Sequence, residues 1–297
     1  MTLETDDLSS HAPPDLFSSR RSRLFSGRRA AWASTISSVV VLGALVAVFF
    51  LAPGSSTFRF YFLGAHDMWT SFVGDPSKGL SSVGVGMITN IWMFVLCEVL
   101  VLICGLAIAW IRISQSAVLF PFRVLATVYT DVFRGLPLLL VLLVVGFGLP
   151  ALQLGALSNE SPAVYGCIAL TMTYSAYVAE VFRAGFHSVP NGQLLAARSL
   201  GLTHASTMRR VTLPQAVRTV VPPLLNDFIS LQKDTALVST LGAIEAIRAA
   251  GIYSATEFKF AGYTVAAILF LILTIPMTRF TDRLIDRDRS RRLAETR

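Results

Sequence analysis

Residues 185–214 read GFHSVPNGQLLAARSLGLTHASTMRRVTLP, and the reading of this stretch decides the fold. It lies between two long apolar runs, yet it is neither low-complexity nor strongly charged. Pro190-Asn191-Gly192 is a turn signal. Gln193 to Leu200 holds good helix formers and small residues. Gly201 suits a helix C-terminus, because a left-handed backbone costs Gly little. Thr203 can cap a second short helix, and Pro214 suits a helix start. The pattern predicts two short helices around a Gly hinge, projecting from one face of whatever the apolar runs build.

Six apolar segments flank this loop on either side: about 31–51, 87–110, 118–150, 162–183, 216–241 and 262–280. The third contains Pro137, and the fifth is interrupted by Asn226, Asp227, Lys233 and Asp234. A bilayer core of about 30 Å takes roughly 20 apolar residues as a helix. Open strands cannot span lipid with unpaired edges, so all six are read as helices. Composition agrees. Apolar types make up 54% of the 297 residues and charged types 14%, against about 25% charged in an ordinary soluble domain. The chain is expected to be an all-α membrane protein with about six transmembrane helices, sited in the cell membrane.

Net charge is +7, which raises nucleic-acid binding as a class. The distribution of charge removes it. With both termini inside, inside segments hold 19 of the 25 Lys and Arg, outside segments four, and the spans two, Arg134 and Lys233. That asymmetry fixes an N-in, C-in topology and explains the basic charge without nucleic acid. The expected organisation is a disordered basic cytoplasmic tail over 1–30, a first span at 31–51, an extracytoplasmic loop over 52–86 with room for a short interfacial helix, a main domain over 87–285, and a basic tail over 286–297.

Cys97, Cys104 and Cys167 all sit in apolar runs. Their odd number and unpaired spacing give no disulfide framework and no zinc motif. No G-x-x-x-x-G-K-[ST] run occurs, so there is no P-loop to cradle phosphates. No HExxH and no G-x-S-x-G occurs either. No metal and no cofactor is expected on this chain, and it is not expected to be an enzyme.

The loop resembles the EAA motif of binding-protein-dependent ABC transporter permeases. It carries Leu195-Ala196-Ala197, Gly201 at the family spacing, and Val211-Thr212-Leu213-Pro214. The flanks resemble the polar amino-acid (histidine, glutamine and glutamate type) permeases. Ala176-Tyr177-Val178-Ala179-Glu180-Val181-Phe182-Arg183-Ala184-Gly185 is similar to their Y-x-A-E-x-x-R-G-G run, and Arg134-Gly135-Leu136-Pro137-Leu138-Leu139 to their R-G-T-P-L-L. Gly192-Gln193, Gln215-Ala216, Pro222-Pro223, Asn226 and Lys233-Asp234-Thr235-Ala236-Leu237 also fit. The resemblance covers about 87–285. Two positions depart from the pattern: Leu195 stands where the motif has glutamate, and Leu136 where it has a polar residue. The first span lies outside the family's usual five-helix core.

The resemblance implies a type I ABC importer fold. It implies that the chain is the permease of an ATP-driven importer of a polar amino acid, delivered by an extracytoplasmic binding protein. Its partners would be two ABC ATPase subunits, which hold ATP and Mg²⁺, and a second permease, identical or homologous. The coupling loop over 190–214 would seat in a groove of the ATPase. The residues placed there are Gln193, Ala196, Ala197, Arg198, Gly201, Arg209, Arg210, Leu213 and Pro214. Ala196, Ala197 and Gly201 offer a surface that a partner can approach closely, and the three arginines can pair with acidic groups on it.

Ionisable residues inside spans are costly and usually functional. Glu98 could read an ammonium or guanidinium group, or it could make a helix–helix hydrogen bond. Asn226, Asp227, Lys233 and Asp234, with Tyr174 and Tyr177, are the other substrate-path candidates, against interhelical packing as the plainer role. Asp131 and Arg134 share a helical face and are expected to pair near the Gly135-Leu136-Pro137 bend. Glu180 and Arg183 have the same spacing, as a gate or a snorkelled pair. His187 and His204 are expected to be solvated. An ion-gradient-driven secondary transporter or channel is the alternative, but no inverted repeat supports it.

Overall fold

The computed structural model describes residues 28–295. The expected N-terminal tail lies outside them up to residue 27, as do residues 296–297 of the expected C-terminal tail. The described residues are helical, with one isolated antiparallel bridge, Asp75 to Leu80. The described residues divide into two compact units, one up to residue 60 and one from residue 61.

In the first unit α1 (Arg28–Leu51) is apolar on every side. Val39, Leu42, Leu45 and Val48 are all exposed, as a helix facing hydrocarbon requires. Near its end, Phe49 meets Phe58 edge-on at 5.4 Å, and Arg59 lies over Phe50 at 5.1 Å. Phe58 and Arg59 belong to α2 (Ser55–Phe62), which straddles the division.

The second unit begins with α3 (Ala65–Val73) and a tight turn at Pro76–Lys78. The expected extracytoplasmic loop thus holds two helices where the sequence predicted at most one. Helix α4 (Val83–Ile113) starts at Ser82, whose hydroxyl accepts from Val85 N at 3.0 Å. At about 1.5 Å per residue its 31 residues outrun the hydrocarbon core.

The apolar stretch at 118–150 is not one straight helix. It forms α5 (Phe120–Gly135) and α6 (Leu138–Ala151), bent by 112°. The cause is local. Pro137 has no N–H to donate, and the residue before a proline is pushed towards extended backbone. Leu136 duly sits at φ −91°, ψ 140°.

Helix α7 (Pro162–His187) is the centre of the unit and packs against α4, α10, α6 and α5. Its polar residues keep it below the apolarity of a lipid-facing span, but it is covered by protein, where polarity is tolerated. Small residues let neighbours come close, the usual device where lipid offers no hydrophobic drive. A Cβ on Gly105 of α4 would lie 2.6 Å from Val178, and one on Gly185 would collide with Val220 of α10.

Beyond the loop run α10 (Leu213–Asp234), a tighter turn at Thr235–Leu241, α11 (Ala246–Glu257) and α12 (Ala261–Glu295). Helix α11 was not expected from the sequence. Asn90 ties this end together: its Nδ2 donates to Thr235 Oγ1, and its Oδ1 accepts from Ala246 N, both at 3.1 Å. Among the described residues three helices are long and apolar enough to cross a membrane, or up to five if each bent pair is one span. The apolar segment expected at 162–183 forms α7, which is not among these and is largely covered by protein.

Candidate functional site

The loop forms α8 (Asn191–Ser199), α9 (His204–Thr207) and a wide π turn at Met208–Thr212 that runs directly into α10. The end of α8 is a Schellman closure. Leu202 N donates to Ala197 O at 3.2 Å, and Gly201 N to Arg198 O at 3.0 Å. Gly201 takes φ +80°. Thr203 Oγ1 accepts from Ser206 N at 3.3 Å and so caps α9. Each of these features is the one its residues predicted.

One face of α8 is turned inward, with Ala197 buried and Leu194 half-buried. Gln215 Nε2 donates to Gln193 Oε1 at 2.7 Å, tying α8 to the start of α10. The opposite face carries Leu195, Ala196 and Ser199, all exposed. Leu195 is 64% and Leu200 84% exposed. Arg198, Arg209, Arg210, Leu213 and Pro214 are exposed as well. Because the π turn continues into α10, a displacement of α9 is carried into a membrane helix without an intervening loop.

A second feature lies at the same end of the bundle. Glu180 of α7 gathers three arginines: Arg112 from the end of α4 at 2.8 Å, Arg183 one turn along at 3.1 Å, and Arg134 from the end of α5 at 3.8 Å. The expected Glu180–Arg183 pair is therefore part of a larger hub joining three helices. The expected Asp131–Arg134 pair does not form. Asp131 is exposed, and Arg134 reaches α7 instead, where a carboxylate is already partly shielded from water. Arg112 is one of the inside charges of the sequence, and nothing in its neighbours announces a partner 68 residues on.

The third feature is a polar cluster inside the bundle. Tyr174 Oη donates to Asp234 Oδ2 at 2.6 Å. The rings of Tyr174 and Tyr177 lie 6.3 Å apart. Phe94 and Phe228 meet edge-on at 4.7 Å, which places Glu98, one turn after Phe94, near Asp227. Asp227 lies within electrostatic reach of both Glu98 and Tyr174. Asp227 Oδ2 is buried and has no hydrogen-bond partner. Asp227 also lines a cavity of about 290 Å³ with Tyr177, Arg134, Glu180, Thr219 and Pro223, so the cluster opens towards the arginine hub.

Of the substrate-path candidates, the structure thus brings together Glu98, Tyr174, Tyr177, Asp227 and Asp234. Asn226 and Lys233 are exposed, and neither bonds to the cluster. Among the described residues no group of His, Cys, Asp and Glu is arranged to hold a metal ion.

Residues 101–290 match the family described as the binding-protein-dependent transport system inner membrane component. The chain is 37% identical over 177 residues to a probable glutamine ABC transporter permease of Bacillus subtilis, covering 59% of this chain and 79% of that one. It is 32% identical over 203 residues to an arginine transport system permease of the same organism, covering 68% and 90%. A chain from the crystal structure of an amino acid ABC transporter with histidines superposes with a TM-score of 0.63 at 34% identity, covering 69% and 93%. A chain of the MetNI methionine ABC transporter, in an inward-facing form, shares the fold at a TM-score of 0.57 and 17% identity, covering 72% and 99%.

Proposed function

The chain belongs to the family of binding-protein-dependent transport system inner membrane components, and from that premise we propose that it forms the membrane path through which an ATP-driven importer moves a polar amino acid. It is a membrane permease subunit rather than an enzyme. The importer reading displaces the ion-gradient alternative, because relatives and structural neighbours alike are ABC permeases.

The observation that carries the proposal is the loop geometry: two short helices, closed at Gly201 and fused to α10 through the π turn. Energy enters from outside the chain. A partner ATPase that binds ATP and Mg²⁺ closes and opens, α8 and α9 ride with it, and α10 transmits the movement to the spans. A ligand responds only if the two states differ in their contacts with it. Asp227, on α10, and Glu98, on α4, are the groups whose separation such a movement changes. The coupling residues are Gln193, Ala196, Arg198, Gly201, Arg209, Arg210, Leu213 and Pro214; Ala197, expected from the sequence to face the partner, is buried and packs α8 against the rest of the protein instead. The assembly comprises two ATPases, this chain and a second permease, identical or homologous, with an extracytoplasmic protein delivering the amino acid.

Chemistry of the path supports an amino acid with a cationic group. Glu98, Asp227 and Asp234 lie within the bundle, and among the described residues none of them pairs with a Lys or Arg. The two tyrosine rings add hydrogen-bonding groups and faces for a cation. An ammonium or guanidinium entering there would replace its water with carboxylate oxygens.

The test is purification in mild detergent from the native membrane, with mass spectrometry of what accompanies the chain. A P-loop ATPase in near-stoichiometric amount is the expected result, and the number of permease species settles homomer against heteromer. A clean chain from membranes that contain the ATPase would overturn the proposal.

A further inference from the structure

A cleft of about 370 Å³ lies between the cytoplasmic end of α4 and the loop. Leu106, Trp110 and Ile113, spaced four and three residues apart, line it from one face of α4. Phe186 comes from the end of α7, and His204 and Met208 from α9 and the π turn. The apolar lining continues up the membrane helix. Val99, Ile103, Leu106 and Trp110 follow one another at helical spacing and are all exposed, so a lipid-facing stripe of α4 leads into the cleft. Trp110 is 71% exposed and stands three residues before the end of α4, where an amphipathic indole suits the inner interface of the bilayer.

The rim of the cleft is cationic. Ser114 also lines it, and Arg123 Nη1 donates to Ser114 O at 2.8 Å, which holds a guanidinium there. Arg209 and Arg210 follow Met208 directly and are exposed. Among the described residues none of these three arginines pairs with a carboxylate. No Asp or Glu occurs over 99–130 or 181–226, so nothing in the lining segments offsets that charge.

We propose that this cleft binds an anionic phospholipid of the cytoplasmic leaflet. An acyl chain lies along Ile103, Leu106 and Trp110 and against Phe186 and Met208. The phosphate meets Arg123 and the arginines of the π turn, and the ring nitrogens of His204 add hydrogen-bonding groups. An anion dissolved in the cytoplasm would find the rim but leave the apolar lining bare. A zwitterionic lipid would cover the lining but bring no net charge to the rim. An anionic phospholipid satisfies both, the cytoplasmic leaflet supplies it, and basic pockets between membrane helices on that side hold such headgroups. The bound lipid touches a span and the loop at once.

The experiment uses the full-length permease, purified in mild detergent, delipidated, and titrated with phosphatidylglycerol or with phosphatidylcholine. Native mass spectrometry counts the lipid retained. The wild type is expected to keep one phosphatidylglycerol under detergent washing that strips phosphatidylcholine. Leu106→Trp fills the cleft from an exposed position and is expected to weaken phosphatidylglycerol binding about tenfold or more. Arg123→Gln, alone and with Arg209→Gln, is expected to bring the two lipids towards equal retention. Ile88→Trp, exposed at the other end of α4, is expected to bind as the wild type does, and yield and detergent-state melting report the folding of each variant. Inorganic phosphate is expected not to displace the lipid. Retention of neither lipid, or of both equally, by the wild type would overturn the proposal. So would unchanged retention in Leu106→Trp and Arg123→Gln, which would put the lipid elsewhere, or full displacement by inorganic phosphate, which would make this a simple anion site.

Discussion

Tyr174 of α7 donates a 2.6 Å hydrogen bond to Asp234 Oδ2 at the end of α10, joining the central helix of the bundle to the helix that receives the loop. Tyr174 is buried, and Asp234 is half-buried. Replacing Tyr174 with Phe keeps the ring and deletes the donor, leaving a shielded carboxylate short of a partner. Such an orphaned group costs about 1–3 kcal/mol. The expected outcome is a lower melting temperature in detergent and a raised KM for uptake, with ATP hydrolysis retained. Unchanged melting and unchanged KM would remove both roles from the pair.

Glu180 is the shared anion of Arg112, Arg134 and Arg183. Its replacement by Gln leaves three guanidinium groups without a counter-charge at the meeting of α4, α5 and α7. Breaking a partly buried pair is more harmful than losing a surface one, and about 2–4 kcal/mol is expected here. Arg112, the better shielded arginine at 11% exposure against 40% for Arg134, should be the more costly of the two to truncate. Thermal unfolding of Arg112→Ala and Arg134→Ala, side by side, checks the order.

Much of this was legible in the residues. The loop could be read because its signals are local: a proline turn, small residues, a glycine that takes a left-handed backbone and a threonine cap. Each depends on its own few neighbours; the left-handed glycine and the threonine cap are found as read, while Pro190 is the N-cap of α8 and the helix starts at Asn191, two residues before the predicted Gln193. The bend between α5 and α6 could be placed at Leu136-Pro137 but not sized, since the 112° angle is set by what the two halves pack against. Helix α11 was missed because its short, mixed sequence has neither the length nor the apolar content of a span. The arginine hub was missed for a different reason. Arg134 and Asp131 share a helical face, and a neighbour in sequence was preferred over Glu180, which tertiary packing supplies. The same packing, through Phe94 and Phe228, brings Glu98 to Asp227, and it separates Asn226 and Lys233 from the cluster although they lie beside it in the chain.

Gly201 separates conformation from contact. Its φ of +80° disfavours a branched or long side chain by roughly 1–2 kcal/mol, while among the described residues, its chain neighbours aside, no heavy atom lies within 4 Å of a Cβ added there. Gly201→Leu is expected to abolish uptake while the permease stays in the membrane and the ATPase turns over uncoupled from transport. Gly201→Asn, which tolerates the left-handed region, should keep more of the uptake. Normal uptake by the leucine variant would sink the assignment of this turn to coupling.

Gly105 marks the crossing of α4 and α7. A Cβ there would lie 2.6 Å from Val178, so even an alanine forces the two helices apart. Overpacking of this kind costs about 1–3 kcal/mol. Gly105→Leu is expected to reduce the folded yield sharply, and Gly105→Leu with Val178→Ala to recover part of it. No recovery in the double variant would place the fault elsewhere than in this contact.

In the proposed function a separate ATPase drives this chain through its loop. The direct measurement is accumulation of a labelled cationic amino acid by proteoliposomes that contain the permease assembly, its ATPase on the side of the loop, and its binding protein on the other. Uptake is expected to need ATP and Mg²⁺ on the loop side, to persist when ion gradients are collapsed, and to be lost in Gly201→Leu. Accumulation that follows an ion gradient in vesicles without the ATPase would contradict it.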